Sequence, residues 1–265
     1  MTRQLIVTAD DFGISAAVNA AVEAAHQGGI LSTASLMVGA PAAADAVARA
    51  RRLPGLKVGL HLVLVDGASL LDGRPLDDNQ IRAGFRYFFS PAARRRLAAE
   101  IRAQFEAFRA TGLALDHVNA HKHMHVHPTV ARLVVAIGGE YGMRAVRVPT
   151  EPAAVLRAAA PGERHHAPAW LPAVAALRRR LTGAGLARND HLFGIAWSGA
   201  MNEARVLALL PQLPDGLSEV YFHPDGANAD FAALTSPRVR QKIAELRISL
   251  TSYAELAPGR VAPAG

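Results

Sequence analysis

Histidine recurs at every second position in the stretch Asn119–Pro128, as His121, His123, His125 and His127. Neutral imidazole is the commonest protein ligand for divalent metals, and it also transfers protons near neutral pH. A tag does not explain the run, because it is internal and interleaved with other residue types. A solvated run without a chemical role is the alternative. The density of imidazoles favours a metal or acid–base site.

The spacing limits how many of these histidines can hold one ion. If the stretch extends the strand-like run 113–118, neighbours on one face lie about 6.6 Å apart, so at most two can reach one ion. If the chain turns helical near Ala120, His121 and His125 meet at i and i+4. Pro128 suits the first turn of a following helix, which places the cluster at the strand end and in the loop after it. We therefore expect one or two of the histidines to bind metal.

Other candidate groups lie at or near the ends of strand-like segments: Asp10, Asp11, His61 and His223. Because successive strand residues point to opposite sides, one of the two aspartates can face a metal while the other faces a histidine or a water. One aspartate could instead cap the following helix, but Ser15 is better placed to do so. A lone histidine in a buried strand is more often a core residue than a ligand. The case for His61 as a ligand therefore depends on the other candidate groups at the strand ends.

Strand-like and helix-like segments alternate along the chain, and this favours a parallel sheet or barrel. The catalytic groups of such a barrel gather where the carboxyl ends of its strands meet. The hydrophobic patterns predict strands at 4–9, 34–38, 57–64, 113–118, 145–148, 191–196 and 218–222, and helices at 16–27, 42–50, 91–110, 129–142 and 202–210. We predict one α/β domain of residues 1–265, with loop insertions near 66–90 and 161–190.

Composition excludes several classes of protein. The 265 residues include no cysteine, so histidine, carboxylate and water remain as ligands, and these suit Mg²⁺, Mn²⁺ or Zn²⁺. No apolar run reaches the roughly 20 residues that cross a bilayer, and no signal segment precedes the first strand, so we expect a cytoplasmic protein. The net charge of +7 comes from scattered arginines without a nucleic-acid-binding motif, so nucleic acid is not an expected partner.

Arg147 is an unusual residue for a buried strand, and we predict that it positions a carboxylate or contacts substrate. His123 and His125 are further candidates for substrate contact.

Two apolar segments could meet a membrane surface. The first has helical spacing beside the basic run Arg178–Arg180, and it either lies on a membrane or packs on the barrel. Its residues are Trp170, Leu171, Val174, Leu177 and Leu181. The second is the aromatic patch Phe85–Phe89 in the loop after His61.

Five motifs, in this order, resemble the YdjC-like carbohydrate deacetylases along nearly the whole chain. They are Thr8–Ser15, Gly29–Val38, Gly59–Leu62, Asn119–Pro128 and Phe222–Pro224. The resemblance implies a distorted (β/α) barrel similar to a TIM barrel, with about seven parallel strands, and often a homodimer.

The same resemblance implies that Asp11, His61 and His121 bind a divalent metal, either Mg²⁺ or Zn²⁺. It also implies that Asp10 is the general base and His223 the general acid in hydrolysis of an N-acetyl group. A narrower likeness is to the deacetylases of hopanoid biosynthesis within this family. It implies an N-acetylglucosaminyl lipid as substrate and a peripheral contact with the inner face of the membrane.

Two alternatives remain open at this point. One is a deacetylase of soluble chito-oligosaccharides. The other is a non-catalytic barrel that binds metal or sugar, which would need the metal ligands but has no need of Asp10 and His223.

Overall fold

Helices and parallel strands alternate along the chain in the computed structural model, which describes residues 3–165 and 169–256. The strands are β1 (Arg3–Phe12), β2 (Thr33–Leu36), β3 (Lys57–Leu62), β4 (Leu115–Ala120), β5 (His191–Phe193), β6 (Gly216–Phe222) and β7 (Ser249–Thr251). The α-helices are α1 (Ala16–Gly28), α2 (Ala43–Arg52), α3 (Gln80–Phe89), α4 (Pro91–Ala110), α5 (Pro128–Glu140), α6 (Ala153–Ala159), α7 (Leu171–Gly183), α8 (Glu203–Leu209), α9 (Ala229–Thr235) and α10 (Pro237–Glu245). Short 3₁₀ turns cover His121–Val126 and Leu210–Gln212.

Side chains at the helix starts determine where several helices begin. The Ser15 hydroxyl accepts a hydrogen bond from the backbone N–H of Val18 at the start of α1. Ser90 caps α4 in the same way, and Pro91 follows it at the first helical position, where its missing N–H costs nothing. The predicted helix 91–110 therefore has the same bounds as α4.

The strands form a curled parallel sheet that is a distorted (β/α) barrel, as expected. Along the sheet the order is β4-β3-β2-β1-β6-β5, and β7 pairs with the first part of β1. Strand β1 therefore lies at the centre, with β2 beside its carboxyl end and β6 beside most of its length. Because all of these pairs are parallel, the carboxyl ends of the strands lie at one end of the barrel.

The predicted strand 145–148 is wrong as a regular strand. It makes only isolated bridges, from Val146 to Val118 and from Ala145 to Ala187. The backbone N–H of Arg147 still donates to the carbonyl oxygen of Val118 at 3.0 Å, which fixes Arg147 beside β4. Conversely, the short strand β7 was not predicted, because its three residues carry no clear pattern.

Both predicted insertions contain helices. The segment 66–90 ends in α3, capped by Asn79. The segment 161–190 contains α7, whose Val174, Leu177 and Leu181 are buried in the hydrophobic core. Packing on the barrel is therefore confirmed for these three residues, whereas Leu171 at the start of the helix is 40% exposed. Residues 166–168 of the insertion lie outside the described part of the chain.

Within residues 3–165 and 169–256, none of the helices has both the length and the apolar character required to cross a bilayer.

Candidate metal centre and active site

Asp11, His61 and His121 come together at the carboxyl ends of β1, β3 and β4, and each offers one ligand atom within 4.8 Å of the others. The Oδ1 atom of Asp11 lies 3.3 Å from His61 Nε2 and 3.3 Å from His121 Nδ1. This oxygen is buried and has no hydrogen-bond partner among the described residues. A buried, unpartnered carboxylate oxygen between two imidazole nitrogens fits a divalent metal centre.

A distortion at the end of β1 places Asp11. The register with β2 shifts between Ala9 and Phe12, and Asp11 has a left-handed backbone conformation with φ of 60°. In a regular strand, Asp10 and Asp11 would face opposite sides. The irregularity changes the direction of the Asp11 side chain, as a β-bulge does. As a result, the carboxylates of both Asp10 and Asp11 act electrostatically on His61.

Asn119 orients the His61 ring. Strands β3 and β4 pair these two residues, and the Asn119 amide oxygen accepts a hydrogen bond of 2.6 Å from His61 Nδ1. With the proton on Nδ1, His61 Nε2 is the nitrogen available to a metal. Burial lowers the pKa of His61, but the carboxylates of Asp10 and Asp11 outweigh it, so this pKa lies above its usual value.

Asp10 is a buried carboxylate whose two oxygens are held by donors. Arg147 donates to Oδ2 at 2.6 Å and to Oδ1 at 3.0 Å, and the Asn119 amide donates to Oδ1 at 3.2 Å. Burial acts to raise the pKa of Asp10, but the charge and hydrogen bonds of Arg147 hold it well below its usual value. Asp10 is therefore ionised at neutral pH.

Arg147 is fully buried, and its guanidinium is shared between two carboxylates. Besides Asp10, it donates to Glu219 Oε1 from Nε at 3.1 Å and from an Nη atom at 2.8 Å. Its guanidinium also lies 5.0 Å from the centre of the Tyr221 ring. Arg147 thus has no surface open to substrate, so its assignment as a substrate contact is wrong. Its two hydrogen bonds to Asp10 agree with the prediction that it positions a carboxylate.

The histidine run leaves β4 as a 3₁₀ turn, in which Lys122 and His123 have left-handed backbone conformations. This kink sends successive histidines in different directions, so neither a continued strand nor an α-helix describes the run. His121 joins the metal centre, while His123 lines the adjacent cleft with its ring 5.7 Å from that of Tyr221. The expectation that the cluster lies at the strand end and in the following loop is confirmed.

The other two histidines of the run, His125 and His127, do not line the cleft. His125 is fully buried, and its Nε2 donates to the carbonyl oxygen of Arg147 at 2.9 Å. Burial lowers the pKa of His125 to about 3. Because its ring is fully buried and bonded to the backbone of Arg147, the assignment of His125 as a substrate contact is wrong. His127 caps α5 by accepting from the backbone N–H of Thr129, and its ring packs on Phe88.

A cleft of about 610 Å³ opens over the metal centre. His223 lies on one side of it, with its Nε2 4.0 Å from Asp11 Oδ2. Its backbone N–H donates to Asp230 at 2.8 Å, and the Asn228 amide donates to its carbonyl oxygen. The residues lining the cleft are Asp10, His61, Asp78, Asn79, Gln80, Ile81, Ala120, His121, Lys122, His123, Trp170, Ile195, Ser198, Tyr221 and His223.

Two carboxylates hold the cleft margin in place. Glu151 accepts hydrogen bonds from three consecutive backbone N–H groups, those of residues 194–196. Burial raises the pKa of Glu151. Lys122, which also lines the cleft, forms an ion pair with Asp66 at 2.6 Å.

A sequence model of the YdjC-like protein family matches residues 4–245. The chain belongs to the YdjC-like family. It is 39% identical over 145 residues to a carbohydrate deacetylase of Brevibacillus brevis, and this match covers 52% of the chain and 56% of the relative. The chain thus spans about half the length of that relative and of a Vibrio cholerae carbohydrate deacetylase. A carbohydrate deacetylase of Geobacillus stearothermophilus is 31% identical over 271 residues, which cover 96% of the chain and 98% of the relative.

Solved structures that are less than 20% identical in sequence to this chain show the same fold. A candidate cellobiose-phosphate cleavage protein from Enterococcus faecalis superposes with a TM-score of 0.74 at 19% identity, covering 97% of this chain and 100% of that one. A family 4 carbohydrate esterase from Streptomyces lividans, in complex with acetate, gives a TM-score of 0.52 at 14% identity, covering 97% and 98%.

Three residues of this YdjC-like site were not assigned from the sequence: Asn119, Glu219 and Tyr221. Asn119 was part of a motif, but nothing local indicates that its amide links His61 to Asp10. Glu219 did leave a signal, because it interrupts an otherwise apolar strand as Arg147 does. Two opposite charges in separate buried segments favour a mutual ion pair.

Proposed function

We propose that the protein is a metal-dependent carbohydrate deacetylase, which hydrolyses the N-acetyl group of an amino sugar to the free amine and acetate. One observation carries the proposal. The Asp11, His61 and His121 cluster shares a cleft with an ionised base, Asp10, and with His223. The relatives named as carbohydrate deacetylases support the choice of substrate.

The donor set of one carboxylate and two imidazoles suits Zn²⁺ and also accommodates Mg²⁺. A divalent ion bound there supplies Lewis acidity, and it lowers the pKa of water from about 15.7 towards 7.

Asp10 and His223 divide the proton transfers between them. Asp10 takes a proton from the attacking water, whose oxygen forms the new bond to the acetyl carbon. Arg147 and Asn119 keep the Asp10 carboxylate in one orientation during this transfer. His223 gives a proton to the amine nitrogen as the carbon–nitrogen bond breaks. The products are acetate and the free amino sugar.

The test is Asp10→Asn, which removes the base but keeps the size of the side chain. We expect the variant, assayed at saturating metal, to release acetate from N-acetylglucosaminides at least ~100-fold more slowly. Asp215→Asn, at an exposed aspartate outside the cleft, is the matched control and should retain activity. Unchanged acetate release by Asp10→Asn would instead favour the non-catalytic metal- or sugar-binding barrel.

The substrate class is proposed more narrowly as an N-acetylglucosaminyl lipid, such as an acetylglucosaminyl hopanoid. Helix α3 supports this, because its first residues line the cleft and one of its faces is apolar and open to solvent. Ile81, Phe85 and Phe89 on that face are 67%, 62% and 77% exposed. A solvent-facing apolar patch beside a cleft mouth fits a lipid tail or a membrane surface. The narrower sequence likeness to hopanoid-biosynthesis deacetylases also supports it.

The rival within the same reaction is a deacetylase of soluble chito-oligosaccharides. Acetate release from N-acetylglucosaminides with and without a lipid tail separates the two. We expect the higher kcat/KM on the lipid-linked substrate, and a preference for the soluble oligosaccharide contradicts the narrower proposal.

A further inference from the structure

Glu219 is a fully buried carboxylate in the middle of β6. A charged group in a protein interior is costly unless ion pairs and hydrogen bonds compensate it. Thr8 donates to Oε1 at 2.6 Å, and the two contacts from Arg147 reach the same oxygen. The Tyr253 hydroxyl donates to Oε2 at 2.6 Å. Both oxygens therefore have donors that stabilise an ionised carboxylate.

Arg147 consequently serves two carboxylates at once. Asp10 takes one side of its guanidinium and Glu219 takes the other. Glu219 is not among the groups that converge on the metal centre and does not line the cleft. Arg147, which donates to both Glu219 and Asp10, is the link between Glu219 and the centre.

The formal charges around the centre show what this sharing achieves. Asp10, Asp11 and Glu219 carry three negative charges and Arg147 one positive charge, which leaves two negative charges. A divalent cation would balance this charge. Lys122 and Asp66 form an ion pair at the cleft margin and cancel each other. Without Glu219, Arg147 would leave the buried cluster with a single negative charge.

We propose that Glu219 is a positioning residue that neutralises Arg147 and thereby sets the affinity of the centre for divalent metal. The electric field of a buried charge is weakly screened. Removal of the Glu219 charge therefore weakens the binding of an ion that Glu219 does not contact. The proposal rests on the proposed function only in requiring that the centre binds a divalent ion.

The experiment is a calorimetric titration of Zn²⁺ into metal-free, full-length protein. Glu219→Gln removes the charge, and we expect its Kd for Zn²⁺ to rise about tenfold or more. Glu100→Gln is the matched control, since Glu100 is also buried and accepts hydrogen bonds from Ser69, Leu70 and Gln104 away from the cleft. Its Kd should equal that of the parent. An unchanged Kd in Glu219→Gln overturns the proposal.

Two further variants separate charge from shape. Glu219→Asp keeps the charge and should bind Zn²⁺ more tightly than Glu219→Gln. Equal weakening in both overturns the charge argument. The double variant Arg147→Met with Glu219→Gln removes one charge of each sign, so its Kd should return towards the parent value. If the loss is structural, the double variant will bind more weakly than either single change.

The double variant also covers failure of Glu219→Gln to fold, because it removes the arginine that loses one of its two carboxylate partners in the single variant. A parent protein that binds no Zn²⁺ contradicts the proposed function itself. If the parent binds Zn²⁺ and Glu219→Gln binds it with equal affinity, only the proposed role of Glu219 is contradicted.

Discussion

The Asp10 carboxylate and the Arg147 guanidinium face each other inside the barrel through hydrogen bonds of 2.6 and 3.0 Å, one to each carboxylate oxygen. The two residues are 137 positions apart in the chain. A guanidinium can hold both oxygens of a carboxylate at once, whereas an ammonium acts as a single point of charge. The pair therefore fixes both the charge and the orientation of the proposed base.

Replacing Arg147 with lysine should keep the positive charge but lose this two-point contact. We expect kcat to fall by about 100-fold, because a misplaced base near the reacting atoms costs about that much, and KM to change little. Steady-state acetate release measures both constants. Arg238→Lys, at an exposed arginine paired with Glu203, is the control and should leave them unchanged. A kcat within a factor of about two of the parent would show that the two-point contact is dispensable.

Removal of a metal ligand should abolish metal binding and activity together. We expect His61→Ala and His121→Ala to lose bound metal, because each takes one nitrogen from a three-group centre. His125→Ala should keep its metal, since this ring binds the Arg147 carbonyl oxygen instead. Metal content per chain by mass spectrometry decides between these outcomes. One equivalent of metal retained by His61→Ala would reassign the ligands.

Gly59→Ala should destabilise the fold. A Cβ at this position would lie 2.5 Å from His117 Cε1. The His117 ring is fully buried and held between the Ser35 hydroxyl and the Asp116 carboxylate, so it cannot move aside freely. We expect a loss of about 1–3 kcal/mol in the free energy of unfolding, measured by urea denaturation.

Gly28→Ala is the control for this change. Its added Cβ would meet nothing within 4 Å. Equal losses in the two variants would show that the His117 contact is not the cause.

The apolar face of α3 should matter for lipid and not for sugar. We expect Phe85→Ser with Phe89→Ser to weaken binding to anionic liposomes at least ~10-fold, because two exposed aromatic rings can no longer be buried there. Activity on a lipid-linked N-acetylglucosaminide should fall, while activity on a short soluble one is spared. Leu250→Ser, at an exposed leucine on β7, controls for general surface effects. Parallel loss on both substrates would count against a lipid contact at α3.

Glu151 should make stability depend on pH in a defined direction. Its pKa is raised above the ordinary value of 4.5 by burial, so the folded state disfavours the ionised form. The protonated group contributes stability that is fully present below pH 4.5 and is lost as the pH rises through the raised folded-state pKa. The free energy of unfolding of the parent should therefore increase, relative to Glu151→Gln, as the pH falls through this interval. Denaturation of both proteins at several pH values measures the difference, and a decrease contradicts the assignment.

Several features followed from local sequence. Helix α4 begins at Pro91 because Ser90 caps it and proline suits its first turn, and these effects act within a few residues. The grouping of Asp11, His61 and His121 was also expected, since the carboxyl ends of parallel strands meet at one end of a barrel. The motifs and their order were sufficient to indicate the family.

The sequence by itself thus determined the alternation of elements, the parallel barrel and the groups that gather at its end. Only the tertiary structure decided which histidines of the run face the cleft, because the left-handed turn at Lys122 and His123 overrides any regular period. It also decided that one face of α7, formed by Val174, Leu177 and Leu181, is buried, and that Arg147 lies between Asp10 and Glu219. The physical reason is that burial and ion pairing depend on contacts across 72 to 137 positions, which no local pattern encodes.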